Sequence, residues 1–285
     1  MLLTLETHLL FPARKFPQGN WNPSFQHTSV DFESHDGTKL NGWMLPAANE
    51  GKRYFLVCHG IGEHVPYSAM WLGNRLAQQF DGHVFVFDYR GYGKSEGKPI
   101  EAGLKMDGER AMEVFCEQHN IQPSDVIVVG HSIGGGVGTH IASKMGCKAL
   151  VLQKTFDVLV DVAAKKVFWA PVRWFMHNRF DSCASLENYD GPVLQSHGEL
   201  DQVVPISHAR RLFESTSHPE SKFLGIPNLG HDQAYPSAYW KQLENWLCRI
   251  EEQASEANRE VERSSSVVVE QESETNPQSC DYFPA

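Results

Sequence analysis

Glycines bracket one serine at the end of an apolar run, Val126-Ile127-Val128-Val129-Gly130-His131-Ser132-Ile133-Gly134. Gly135, Gly136, Val137 and Gly138 follow, and Thr139 to Met145 can continue as a helix. The pattern is G-x-S-x-G in a strand, sharp turn, helix setting. Glycines on both sides let strand and helix pass close together, and the strained turn projects the hydroxyl from the carboxyl end of a sheet. The bland alternative is a Gly-rich turn opening a buried helix. The chemistry on offer is nucleophilic attack on an acyl carbon. A serine hydroxyl is too weak an acid to do this unaided; it needs a base within hydrogen-bond reach, and the base needs an orienting carboxylate.

Partners for a serine in this setting follow in the order acid, then histidine. Fourteen histidines are present, so a lone one means little. His231 stands out by placement in Asn228-Leu229-Gly230-His231-Asp232, directly after the last strand-like run; a loop or capping histidine is the alternative. For the acid, Asp201 lies in His197-Gly198-Glu199-Leu200-Asp201-Gln202-Val203-Val204-Pro205, just past the preceding run. Glu199 is its rival, and Asp157 is a weaker third candidate. Asp201 is preferred because Val203-Val204-Pro205 closes the turn onto the next helix. The oxyanion formed in acyl transfer needs two preorganised N–H donors. Ile133, the residue after the nucleophile, supplies one. The other is expected from the loop after Leu56-Val57, most simply Ile61 between Gly60 and Gly62, with His59 supporting that loop.

The elements that must hold these residues can be read in order. Thr28–Glu33 and Leu40–Leu45 flank Ser34-His35-Asp36-Gly37, a hairpin signal. Tyr54–Cys58, His83–Phe87, Val126–Val129, Ala149–Gln153, Pro192–His197 and Lys222–Ile226 read as strands, most of them continuously apolar as expected of strands covered on both faces. Helical stretches lie between them, at Tyr67–Phe80, Leu104–His119, Ser207–Ser215 and Tyr235–Glu251. Strands alternating with helices imply an α/β fold, a mostly parallel sheet with helices on both faces and antiparallel strands at one edge. Residues 1–27 read as an arm packed on the body, with a membrane-touching arm as the alternative. The folded domain spans 28–251. From 252 to 285 Ser, Glu, Gln and Asn dominate without periodicity, the expectation for a disordered acidic tail.

Residues 155–190 break the alternation. They carry Phe156, Phe168, Trp169, Trp174, Phe175, Met176 and Phe180. The segment reads as a cap-like excursion over the carboxyl edge of the sheet, where ligands bind in such folds. Trp169, Trp174 and Phe175 are the candidate substrate-binding residues, on the expectation that these large apolar side chains are not left in water. A greasy crossover packed only on the sheet is the alternative.

Composition narrows the partners. The net charge is -10. From Glu251 onward nine acidic residues stand against Arg259 and Arg263, a net of -7, which leaves -3 for residues 1–250. A near-neutral body argues against nucleic acid, which calls for a basic face. The six cysteines are scattered, without C-x-x-C or metal-like spacing, as in a reducing compartment. No run approaches the ~20 apolar residues of a membrane span. The first ten residues lack a basic n-region and are broken by Glu6, so a cytoplasmic location is expected. Nucleotide-binding G-x-G-x-x-G, phosphate-binding G-x-x-x-x-G-K-[ST] and H-E-x-x-H do not occur, and no cofactor is expected. Asp88-Tyr89-Arg90-Gly91 reads as a brace for the elbow and loops.

In combination, His59-Gly60, Asp88-Tyr89-Arg90-Gly91-Tyr92-Gly93-Lys94-Ser95-Glu96-Gly97, Gly130-His131-Ser132-Ile133-Gly134-Gly135, Asp201-Gln202-Val203-Val204-Pro205 and Gly230-His231 resemble an α/β-hydrolase. The resemblance covers about residues 28–250. Phe180-Asp181-Ser182 is similar to the serine-aminopeptidase-like branch, which includes lysophospholipases, monoacylglycerol lipases and protein depalmitoylases. The resemblance implies a metal-free serine hydrolase acting on small-molecule acyl esters or thioesters, lipid-like ones included, through an acyl-enzyme. A peptidase releasing N-terminal residues, which would recruit Glu199 or Glu63 for the free amine, and a non-catalytic binding scaffold are the alternatives. Several members of that branch carry a membrane anchor or palmitoylated cysteines; neither is evident in this sequence. The loop His59-Gly60-Ile61-Gly62-Glu63-His64 also departs from the His-Gly-Asn type of many relatives.

Overall fold

The computed structural model describes residues 11–166 and 172–274. The chain divides into two compact units at Tyr235/Pro236. The first holds an eight-stranded sheet: β1 (Thr28–Glu33), β2 (Lys39–Leu45), β3 (Arg53–Cys58), β4 (Gly82–Phe87), β5 (Val126–His131), β6 (Ala149–Gln153), β7 (Val193–Gly198) and β8 (Lys222–Ile226). The order across the sheet is β1-β2-β4-β3-β5-β6-β7-β8. β2 is antiparallel to both β1 and β4, and the pairs from β4 through β8 are parallel. The α/β architecture expected from the sequence is the one observed, with the hairpin forming the antiparallel edge.

Helices fill the crossovers: α1 (Val65–Ser68), a π-helical stretch (Ala69–Gly73), α2 (Asn74–Gln79), α3 (Glu101–His119), α4 (Ile133–Met145), α5 (Leu159–Lys166), α6 (Val172–Phe175), α7 (Ser182–Leu186) and α8 (Ile206–Phe213). Every residue of β5, β6 and β7 is buried, which is why β5 and β6 read as mainly apolar runs, while β7 carries the buried polar residues Gln195, Ser196 and His197. The core is built on Leu56, Phe85, Phe87, Val128, Val137 and Leu152, among others. The buried Arg90 braces three elements. It donates to Asp107 of α3 at 2.7 Å and to Asp36 in the β1–β2 turn at 2.7 Å. It thus holds α3 and the hairpin rather than the elbow itself.

Residues 11–27 lie on this unit. Phe11 is buried, Phe16 N–H donates to Gly93 O at 2.9 Å, and Trp21 sits edge-on to Trp43 with ring centroids 5.8 Å apart.

The second unit contains α9 (Ser237–Glu274). The helix was expected to stop near Glu251, with a disordered tail from 252. Instead the helix continues to Glu274; over 251–263 Glu, Gln, Arg and Ala favour helix without an apolar stripe to mark it, whereas the serine and valine run at 264–269 is a poor helix former by propensity. Residues 275–285 lie outside the described residues. No helix among the described residues is long and apolar enough to cross a membrane.

The excursion at 155–190 leaves the carboxyl end of β6 and closes on itself. Ser182 N–H donates to Asp157 O at 2.7 Å. Asp157 also accepts from His208 Nδ1 and Arg211 Nε of α8, each at 2.6 Å. The far side is hooked to α3: the Glu101 carboxylate accepts Phe180 N–H at 3.0 Å. Trp169 and Phe168 lie outside the described residues. Trp174 is 87% exposed and Phe175 58%, so the expectation that these side chains leave water is corrected. The four-residue helix α6 is too short to turn all of its apolar residues inward, and the inner positions go to Met176 and Phe180 just beyond it, both buried.

Candidate active site

The sheet sets the site by register. β3 and β5 are adjacent and parallel, with Cys58 opposite Gly130, so the turn after β5 and the loop after β3 leave the same edge side by side. Gly134 is required there: a Cβ on it would collide with the Cys58 carbonyl. Ser132 has φ 52° and ψ −117°, a left-handed-side conformation that a serine does not adopt by preference. Tertiary contacts hold it there. Ser132 N–H donates to Gln153 O at 2.9 Å, and Thr155 Oγ1 donates to Ser132 O at 2.7 Å.

His231 and Asp201 come to this serine from the loops after β8 and β7. The Ser132 hydroxyl lies 3.1 Å from His231 Nε2, and His231 Nδ1 lies 2.7 Å from Asp201 Oδ2. The arrangement suits a hydroxyl donating to Nε2 and an Nδ1–H donating to the carboxylate. The other carboxylate oxygen, Asp201 Oδ1, accepts Val203 N–H at 2.9 Å and Val204 N–H at 2.8 Å. Burial pushes the Asp201 carboxyl up, but hydrogen bonds from His197 and His231 outweigh it and hold the group well below the usual carboxylate range. It is therefore ionised near neutral pH.

The two rival acids are elsewhere. Glu199 is exposed, with its carboxylate against Gly225 of β8. Asp157 belongs to His208 and Arg211. Ile133 is the first residue of α4, so its N–H has no intrahelical acceptor. Ile61 sits at the crown of a turn closed by Glu63 N–H donating to Gly60 O at 3.1 Å. Behind it, His59 Nδ1 meets Gly60 O at 2.8 Å, and Asp88 Oδ1 accepts Val65 N–H at 2.8 Å. Burial pushes the His59 imidazole down to about 4 and the Asp88 carboxyl up to about 8, so both are neutral near pH 7. His59 supports this loop.

Three groups in the site escape a reading by motif. His197 Nε2 donates to Val204 O at 2.8 Å and lies 3.3 Å from Asp201 Oδ2, buttressing the acid. Lys154, buried and at φ 50°, donates from Nζ to His231 O at 2.7 Å and also reaches Gln233 O, so it holds the loop that carries the imidazole. Burial pushes the Lys154 ammonium down to about 8. The sequence places this lysine directly after β6, at the carboxyl edge, but nothing local names its partner. Glu63 is the third, 2.9 Å from His131 Nδ1.

A strand-to-helix elbow holding a serine, with histidine and aspartate presented from the next strand ends, defines an α/β-hydrolase. The alpha/beta hydrolase family profile matches residues 55–262, and the chain belongs to that family. It is 31% identical over 207 residues to an uncharacterized protein of Mycobacterium tuberculosis, covering 71% of this chain and 72% of that one. It is 30% identical over 235 residues to the uncharacterized protein YfhR of Escherichia coli O157:H7, covering 77% and 80%. Among solved structures it is similar to the Pyrococcus furiosus esterase Pf2001, with a TM-score of 0.69 over 84% of this chain and 97% of that one, at 18% identity.

Proposed function

We propose that this protein is a serine hydrolase of acyl esters or thioesters, with Ser132 as nucleophile, His231 as general base and acid, and Asp201 as the orienting carboxylate. The observation that carries the reading is the hydrogen-bonded line from Ser132 Oγ through the His231 ring to Asp201, on a serine held at positive φ. In acylation His231 Nε2 takes the Ser132 proton as Oγ attacks the acyl carbon. The carbonyl oxygen becomes an oxyanion facing the N–H groups of Ile133 and Ile61. The imidazolium then gives its proton to the leaving alcohol or thiol. Water repeats the sequence on the acyl-enzyme, returning Ser132 and a carboxylic acid.

The substrate half of the proposal is a small-molecule acyl ester, lipid-like ones included, with Trp174 and Phe175 as an exposed apolar surface for the acyl chain. Of the two carboxylates the peptidase alternative would recruit, Glu63 already accepts from Ser68 Oγ at 2.6 Å and from Gly60 N–H, and Glu199 is exposed with its carboxylate near Gly225 of β8, which favours the esterase reading. A cytoplasmic location is part of the same reading, supported by the scattered spacing of the cysteines, which form no C-x-x-C pair. A fluorophosphonate probe is expected to label the wild type and not Ser132→Ala. Equal labelling of the two refutes the assignment of the nucleophile. A folded wild type that neither labels nor turns over short- and long-chain esters points to a binding scaffold instead.

A further inference from the structure

The loop from His59 to His64 carries a charge that the triad does not use. Glu63 is 8% exposed and His131, the residue directly before Ser132, is 9% exposed. Glu63 Oε1 lies 2.9 Å from His131 Nδ1, an ion-pair contact with the N–H off the ideal hydrogen-bond line. The other carboxylate oxygen gathers the Ser68 hydroxyl at 2.6 Å and Gly60 N–H at 3.3 Å. Trp71 meets the far side of the His131 ring edge-on, with centroids 5.3 Å apart. The packing admits no side chain on Gly60: a Cβ there would stand 2.8 Å from His131 Nδ1 and 3.2 Å from Glu63 Oε1. Burial pushes the Glu63 carboxyl up, but the close approach of His131 and the bond from the Ser68 hydroxyl outweigh it and hold the group down at about 2, so it carries its charge at any working pH.

Burying an ion pair is poor value for stability, because desolvation offsets the attraction; its better use is to fix a geometry. Here the two partners sit on the two arms that bear the oxyanion donors. Glu63 closes the turn that carries Ile61, and His131 is covalently joined to the elbow that carries Ser132 and Ile133. Ile61 stands between Gly60 and Gly62, which by themselves leave its N–H free to wander. A donor is useful in an oxyanion hole only when it is aimed before the charge develops. A lone carboxylate here would also repel the oxyanion; in the structure its oxygens face His131 Nδ1, the Ser68 hydroxyl and Gly60 N–H instead.

On these grounds, and resting on the hydrolase reading above, we infer that the Glu63–His131 pair sets the separation of the two oxyanion donors, which makes Glu63 and His131 positioning residues of the acyl-transfer site. It gives a use to the departure of this loop from the His-Gly-Asn type. His131 stands beside the triad imidazole, ring centroids 5.9 Å apart, so the tie also keeps a second imidazole turned to Glu63 rather than to Ser132.

The test uses the full chain with a short-chain ester and an alkyl boronic acid. The boron accepts the Ser132 Oγ lone pair as the hydroxyl proton passes to His231, and the tetrahedral adduct sets an oxygen in the hole. Glu63→Gln is expected to lower kcat about 10- to 100-fold, with KM within about threefold, and to weaken boronate inhibition by the same factor. His131→Asn, which strands the carboxylate, is expected to lose more than Glu63→Gln, and the double variant to recover to the level of Glu63→Gln. Urea unfolding of each variant reports whether it is folded, and His131→Asn with the double variant carries the test if Glu63→Gln does not fold. An unchanged kcat and boronate affinity in folded Glu63→Gln overturns the inference, as does a loss confined to KM or strictly additive losses in the double variant. A wild type that binds no boronate and takes no fluorophosphonate overturns the hydrolase reading itself.

Discussion

Asp201→Asn is the substitution whose outcome the geometry fixes most closely. In the wild type Oδ2 accepts the Nδ1 proton of His231 across 2.7 Å, and Oδ1 accepts two backbone N–H groups at 2.9 and 2.8 Å. The asparagine oxygen can keep the two backbone donors, so the turn Asp201–Pro205 stays closed. Its amide nitrogen then faces His231 and can only donate. The imidazole must answer with an unprotonated Nδ1, which puts its proton on Nε2, the atom 3.1 Å from the Ser132 hydroxyl. Two donors then face each other and the serine proton has nowhere to go. Loss of the correct tautomer with the fold intact costs about 10⁴ in kcat, which is about 5 kcal/mol of transition-state stabilisation. The assay is kcat/KM on a short-chain ester alongside the rate of fluorophosphonate labelling, with urea unfolding to establish that Asp201→Asn is folded. Glu199→Gln serves as the control and is expected to remain within a few-fold of wild type, because Glu199 is exposed and turned toward β8. An Asp201→Asn enzyme within about tenfold of wild type, or a Glu199→Gln enzyme that carries the large loss, refutes the reasoning.

Lys154→Met removes the ammonium that bonds the His231 and Gln233 carbonyls. It is expected to lower kcat about 10- to 100-fold through misplacement of the base, with little change in KM and partial rescue in Lys154→Arg; steady-state kinetics on the three proteins decide it. Asp88 predicts a pH dependence of stability. Its carboxyl is raised from 3.8 to about 8 in the folded protein, so the folded state holds the extra proton. The contribution is fully present below 3.8 and is lost as pH rises through about 8. The urea midpoint should therefore fall between pH 6 and pH 9, a fall that Asp88→Asn should flatten; an unchanged slope in that variant counts against it. Trp174→Ala, at a side chain 87% exposed, should leave the unfolding midpoint within about 0.5 kcal/mol of wild type. If the acyl-wall proposal holds, kcat/KM in the wild type rises from acetyl to decanoyl esters and the substitution flattens that rise; a flat wild-type profile ends it.

The sequence alone determined the approximate strand ends and the sharp turn at Ser132. Continuous apolar runs mark strands covered on both faces, and the glycines around Ser132 mark a turn where backbone meets backbone, both of them local demands. His231 was legible for a related reason, as a histidine at the carboxyl end of the last strand. The acid was only narrowed. Asp201, Glu199 and Asp157 all follow sheet strands, and nothing in their spacing says which carboxylate faces His231; the turn at Val203-Val204 does, by taking the other oxygen of Asp201. Trp174 and Phe175 were misjudged because hydrophobicity says what a side chain prefers, not whether a four-residue helix has an inner side left to offer. The extended helix through 274 was missed because propensity without an apolar stripe leaves no period to read. Lys154 on the His231 loop and Glu63 against His131 were beyond any local pattern. Their partners are remote in sequence, and only the register of parallel strands, which brings separate loops to one edge of the sheet, decides that they meet.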